Sequence, residues 1–384
     1  MAALGRSRRY VTDVTSIDLQ QDAGQLTAAL VDIYSESGHE TGLADLVEHC
    51  LRDLSHLNVE RHGDAVVART QLGRPERVVL AGHLDTVPAG DNFPSRRDGD
   101  ILYGLGSADM KSGVAVMLRL AADLVEPVHD VTFVFYDGEE VEAERNGLLR
   151  LSRTVPELLV ADFAVLLEPT DATIEGGCQG TMRAEVVVSG VRAHSARSWH
   201  GENAIHAAVV VLDRLQAYEP RRPVVDGLSF REGLNAVGIH GGVAGNVIPD
   251  ECVVTVNYRF APDRNEAAAE AHIRDVFDGF TVTITDSAPA ARPGLGHPAA
   301  RSFVTAIGGE PRAKFGWTDV ALFSVLGVPA VNYGPGDPHV AHSRGERVSV
   351  AQILECERRL RDWLAAPSQE RPAAHDPDAG ARPA

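Results

Sequence analysis

His83-Leu-Asp85 puts an imidazole and a carboxylate two residues apart at the end of an apolar, β-branched run, so both project to one side of the chain. That spacing suits a metal-ligating histidine oriented by a nearby carboxylate. Asp109 lies in YGLGSADMKSG, just ahead of a helical pattern, and its two oxygens could bridge two metals. Glu139 and Glu140 adjoin at another strand end, where neighbouring side chains point in different directions; one can ligate while the other stays free as a base. Glu168 ends a third apolar run, and His342 in DPHVAHS follows a fourth. Nitrogen and oxygen donors of this kind suit zinc.

Each residue alone has an ordinary explanation. A single histidine is usually a hydrogen-bonded core or surface residue, and an acidic pair is usually a solvated face. Asp109 could be a helix N-cap, and Glu168 before Pro169 could merely end a strand. The argument for chemistry is coincidence: all six ligand or base candidates stand at the ends of α/β elements. Those elements are legible from periodicity. Arg77–Val87 reads as a buried parallel strand opening into a loop, Lys111–Val125 as a helix, and Asp130–Tyr136 and Ala161–Leu167 as further strands. Strand, helix, strand, helix, strand implies an α/β layer with a mixed, mostly parallel sheet.

From about Thr181 the texture changes. Met182–Val188, Cys252–Phe260 and Phe280–Thr285 alternate, while Asn203–Tyr218 and Glu266–Phe277 are helical. This predicts a smaller α+β unit with one sheet face exposed. APAARPGLGHP (Ala288–Pro298) reads as a return linker, after which Ala299–Ile307, Asp319–Leu326, Pro329–Tyr333 and Val350–Leu364 resume the α/β texture. The expected division is an α/β domain in two parts, 1–180 and 291–366, interrupted by a smaller inserted α+β domain at 181–290, with a disordered tail at 367–384.

Composition bounds the function. The chain has 384 residues, long enough for two domains, and 36 Lys+Arg against 54 Asp+Glu give a formal net charge of −18. Such a field disfavours nucleic-acid and anionic-membrane partners. Four scattered cysteines, Cys50, Cys178, Cys252 and Cys356, form no CxxC pair, as expected of reduced thiols in a cytoplasmic protein. The opening MAALGRSRRYVTDV lacks an apolar h-region and no run of about 18 apolar residues occurs, so neither export nor membrane spanning is expected.

HLDTVPAG, GLGSADMKSG, YDGEE, LLEPT, GCQGT, RAHSARSW, GGVAGNVIPD, FGWTDV, NYGPGD and AHS occur in an order that resembles the co-catalytic zinc aminoacylase/carboxypeptidase superfamily, and within it the succinyl-diaminopimelate desuccinylases. The resemblance covers roughly residues 16 to 365 and implies a zinc-exopeptidase-like catalytic domain carrying a ferredoxin-like dimerisation lid. It implies two Zn2+ per subunit, for which Co2+ could substitute. His83, Asp109 and Glu168 would hold one ion and His342, Asp109 and Glu140 the other, with Asp109 bridging. Glu139 would be the base acting on a zinc-activated water, and Asp85 would orient His83. His194, supplied by the partner of a homodimer, would stabilise the tetrahedral oxyanion.

The resemblance also puts Arg259, Asn246 and Thr318 against an N-succinyl amino acid substrate, with Gly334 and Gly336 offering backbone donors. Arg183 and Arg197 are further basic candidates. Cys178-Gln179 stand where some better-known members carry arginines. The implied reaction hydrolyses N-succinyl-L,L-2,6-diaminopimelate to succinate and diaminopimelate. Its rivals are a related N-acyl-amino-acid deacylase, such as one acting on acetylornithine, and a non-catalytic zinc-binding dimeric protein.

Overall fold

A computed structural model describes residues 16–365. The expected tail at 367–384 lies outside the described residues. Asp130–Tyr136 is buried at every position, as a central strand covered on both faces must be. Its neighbour Arg77–His83 divides its side chains by the period of two: Val78 and Leu80 enter one core, Val79 and Ala81 the other. Helices Ala23–Val31, Lys111–Asp123, Pro298–Ile307 and Val350–Ala365 contribute to the first core; Gly147–Thr154 and Val320–Val325 contribute to the second. Each fully buried Leu or Phe in these layers contributes about 1.5–3 kcal/mol through removal from water.

The eight-stranded sheet has the spatial order Asn58–His62, Ala65–Arg69, Asp130–Tyr136, Arg77–His83, Phe163–Leu166, Ala330–Asn332, Glu175–Gly176, Arg312–Ala313. The four strands from Asp130–Tyr136 to Ala330–Asn332 are mutually parallel, so their C-terminal ends share one edge. The pairings around Ala65–Arg69 are antiparallel, which makes the sheet mixed.

A separate antiparallel sheet runs Gly233–Gly241, Glu251–Phe260, Gly180–Ser189, Thr281–Ala288. Gly180–Ser189 and Glu251–Phe260 alternate buried and more open positions, as their sequences predict. Their inner residues pack against Ala204, Ala208, Val211, Ala269 and Ile273 of the helices. The single helix expected over Asn203–Tyr218 is two, Ala204–Ala207 and Val209–Gln216, divided at Ala208. Among the described residues, no helix is long and apolar enough to cross a membrane.

Candidate active site

His83 is the last residue of its strand and only 1% exposed. Its Nδ1 lies 3.0 Å from the Asp85 carbonyl oxygen and 3.5 Å from Asp85 Oδ1, leaving Nε2 3.3 Å from Asp109 Oδ1. The other oxygen of Asp109, Oδ2, is 3.2 Å from Nε2 of His342. The same nitrogen of His342 is 2.8 Å from Glu140 Oε1. Asp109 therefore turns one oxygen to each histidine, which is the arrangement a bridging carboxylate requires.

Asp109 does not cap the following helix. Met110 occupies the N-cap position without a side-chain cap bond. Burial opposes ionisation of Asp109, but hydrogen bonds from His342 and His83 outweigh it and hold the carboxyl below its usual range. His342 is pushed up to about 10, chiefly by its contacts with Asp109 and Glu140.

Asp85 does more than orient His83. Its Oδ1 accepts the Glu139 backbone N–H at 3.0 Å and its Oδ2 accepts that of Glu140 at 3.0 Å, while Ser37 Oγ donates to Oδ2 at 2.7 Å. It thus holds the turn that carries both glutamates. Gly138 makes that turn possible: φ is +69°, and a Cβ there would stand 2.5 Å from the Arg145 carbonyl oxygen.

Three donor groupings lie within ligating reach of a single ion: His83, Asp109 and Glu168; Asp109, Glu140 and His342; and His83, Glu139 and Glu140. The first two match the expected pair of ligand sets. Glu168 Oε1 is buried without a hydrogen-bond partner, and burial, reinforced by the Asp109 charge, pushes Glu168 up to about 8. Burial also drives Glu139 well above the usual carboxylate range, with Glu168, Asp319 and Glu140 adding to the effect. A buried acidic nest with an orphaned oxygen and two imidazoles fits divalent cations, which would favour the ionised carboxylates.

The remaining expected residues are not members of these groupings. His194 is exposed, its Nδ1 accepting the Ala196 N–H at 3.0 Å, and it pairs in register with Val247. Asn246 adjoins it through Ser195 N–H to Asn246 O at 2.9 Å. Arg259 sits half-buried on the four-stranded antiparallel sheet opposite Thr181, with Arg183 nearby further lowering a pKa already depressed by burial. Arg197 is exposed in the turn after His194. Thr318 is buried and donates its hydroxyl to Asn332 Oδ1 at 3.1 Å.

The expectation of free backbone donors at Gly334 and Gly336 is corrected. Gly334 N–H goes to Thr170 Oγ1 at 3.1 Å and Gly336 N–H to Gln352 Oε1 at 2.7 Å. Close packing is what requires glycine at 334, where a Cβ would stand 2.4 Å from the Leu167 carbonyl oxygen. Cys178 is buried with its thiol on the Thr318 carbonyl, and Gln179 donates to the Arg231 carbonyl at 2.7 Å.

Asn146 and Asp319 were not singled out in the sequence. Asn146 Nδ2 donates to both oxygens of the buried Asp319, at 3.1 and 3.0 Å, across 173 positions of chain. No local spacing signals such a pair.

The chain is 58% identical over 351 residues to a Mycobacterium tuberculosis protein provisionally named succinyl-diaminopimelate desuccinylase DapE, covering 91% of this chain and 99% of that one. It is 46% identical over 360 residues to the succinyl-diaminopimelate desuccinylase of Corynebacterium glutamicum, covering 91% and 98%. A tripeptidase from Staphylococcus aureus shares the fold with a TM-score of 0.73 at 21% identity, over 91% of this chain and 98% of that one. The model of Peptidase family M20/M25/M40 matches residues 79–366, a span that takes in the strand-end histidines and carboxylates described above, and the chain belongs to that family.

Proposed function

We propose that the chain hydrolyses N-succinyl-L,L-2,6-diaminopimelate to succinate and L,L-2,6-diaminopimelate, at a site holding two Zn2+ ions. The substrate assignment rests on the near full-length match to relatives named for that reaction. The metal assignment rests on membership of a metal-dependent family and on Asp109 offering one oxygen to each histidine. His83, Asp109 and Glu168 would hold one ion, and Asp109, Glu140 and His342 the other. Co2+, with similar ligand preferences, would substitute.

Bound zinc would supply Lewis-acid polarisation of the amide carbonyl and acidification of a water. The chain's own residues do the rest. Glu139, held by its backbone to Asp85, takes the proton of the attacking water and delivers it to the leaving amine. Asp85 orients His83 and the Glu139–Glu140 turn together. Arg259 and Asn246 are assigned to the substrate's carboxylates, and Thr318 to the wall beside them. Residues 181–290 form the lid in this reading.

A homodimer is the proposed assembly, and the protein is assigned to the cytoplasm, in keeping with its four buried free cysteines. Exposed Ile205, Val209, Val210 and Leu212, with Val237 and Ile239 on the edge strand, supply an apolar face for self-association. His194 would cross to the partner's site. His194→Ala is expected to lower kcat by about 10²–10³-fold with zinc content unchanged. Mixing it with Glu139→Gln protein should restore roughly a quarter of wild-type activity, because half the dimers then contain one intact site. No recovery after subunit exchange would place His194 in its own subunit's site.

The substrate is tested by comparing kcat/KM for N-succinyl-L,L-2,6-diaminopimelate and N-acetylornithine with the zinc-loaded protein. The expected preference for the succinyl compound is about 10²-fold or more, because charged groups built to meet the acyl carboxylate stand unpaired against an acetyl group. Equal or faster deacetylation would replace this reading with that of a general N-acyl-amino-acid deacylase.

A further inference from the structure

Glu346 is 1% exposed, yet it takes no part in the proposed mechanism. A buried carboxylate is costly unless its oxygens are satisfied. Here Oε2 accepts the Gly106 N–H, and Oε1 accepts the N–H groups of both Ala108 and Asp109, all at 3.0 Å. The Glu346 carbonyl additionally accepts the Gly104 N–H at 3.2 Å. The loop it binds lies in no strand or helix, so its amides have no ladder to join.

Glu346 follows His342 by four residues, and the two act on opposite ends of one residue. His342 meets the Asp109 side chain, while Glu346 holds the Asp109 backbone and that of the residues before it. Behind the loop, the buried Lys111 ammonium donates to the carbonyls of Leu30 and Ile33, at 3.0 and 2.6 Å, fixing the start of the next helix. Asp109 is thus gripped from the His342 segment on one side and anchored to the helical layer on the other.

We propose that Glu346 is a positioning residue: its carboxylate clamps the 106–109 backbone so that Asp109 presents one oxygen to each metal. The inference rests on the reading of Asp109 as the bridge. Loss of one hydrogen-bonding partner behind a metal ligand typically costs 10–100-fold in metal affinity. In Glu346→Gln an amide NH2 faces backbone donors, so at least one clamp bond is lost without loss of volume.

The test is Zn2+ affinity by chelator competition, together with the visible spectrum of the Co2+-loaded protein. Glu346→Gln should weaken affinity about 10–100-fold and alter the cobalt bands. Glu346→Asp, which keeps the charge with shorter reach, should lie between it and wild type. Asp130→Asn is the control: Asp130 is another buried carboxylate, accepting the Leu72 and Arg74 backbone amides, and its loss should lower Tm while leaving affinity and spectrum unchanged. Folded Glu346→Gln protein with wild-type affinity and spectrum would reduce Glu346 to a purely structural role; should that variant not fold, Glu346→Asp carries the same comparison. Asp109→Asn separates the two readings. If it retains both metals, the bridge itself is wrong; if it loses them while the Glu346 variants bind normally, only the clamp is wrong.

Discussion

Glu139→Gln is expected to retain both metal ions and to lower kcat by about 10³–10⁴-fold, the upper part of the range for loss of a positioned general base. The amide keeps the shape of the side chain, and the Glu139 N–H to Asp85 bond does not involve the substituted group. What disappears is the ability to accept a proton. Metal content by plasma emission and steady-state turnover are measured on the same preparation. A specific contrary result is available: Glu139 also falls within ligating reach of His83 and Glu140. Loss of metal in Glu139→Gln would make Glu139 a ligand and return the role of base to another carboxylate.

Asp109→Asn is expected to abolish stable binding of the metal pair and to bring turnover to background, a fall of about 10⁴-fold or more, since binding and chemistry fail together. Asparagine offers one oxygen where the carboxylate offers two, and it removes the charge that both histidines face. Metal content after passage over chelating resin, with activity before and after zinc is restored, measures the effect. Retention of two ions with near-normal turnover would end the bridging assignment. The two variants are complementary, because one separates chemistry from metal and the other removes both.

The ligand and base candidates were readable because their positions are set locally. His83, Glu139, Glu140 and Glu168 each follow an apolar run, and parallel strands buried on both faces place their C-terminal ends on one edge. His342 reaches the same edge after the Ala330–Asn332 strand. Strands whose alternation is strong, such as Gly180–Ser189 and Glu251–Phe260, were equally plain. The edge strand Gly233–Gly241 was not anticipated: it is open along most of its length, so no apolar alternation marks it.

Periodicity and strand-end chemistry, both properties of near neighbours, were enough to specify the α/β layer, three of the four strands of the second sheet and the candidates for holding metal. Convergence is of another kind. Asp85 meeting the Glu139–Glu140 turn, Glu346 gripping the loop at 106–109 and Asn146 paired with Asp319 join positions 54 to 240 residues apart. The same is true of Gly334, whose N–H is taken by Thr170 rather than left for substrate. Such partners are chosen only when folding removes them from water, because a buried donor or acceptor must then find whatever complementary group the packed elements bring to it.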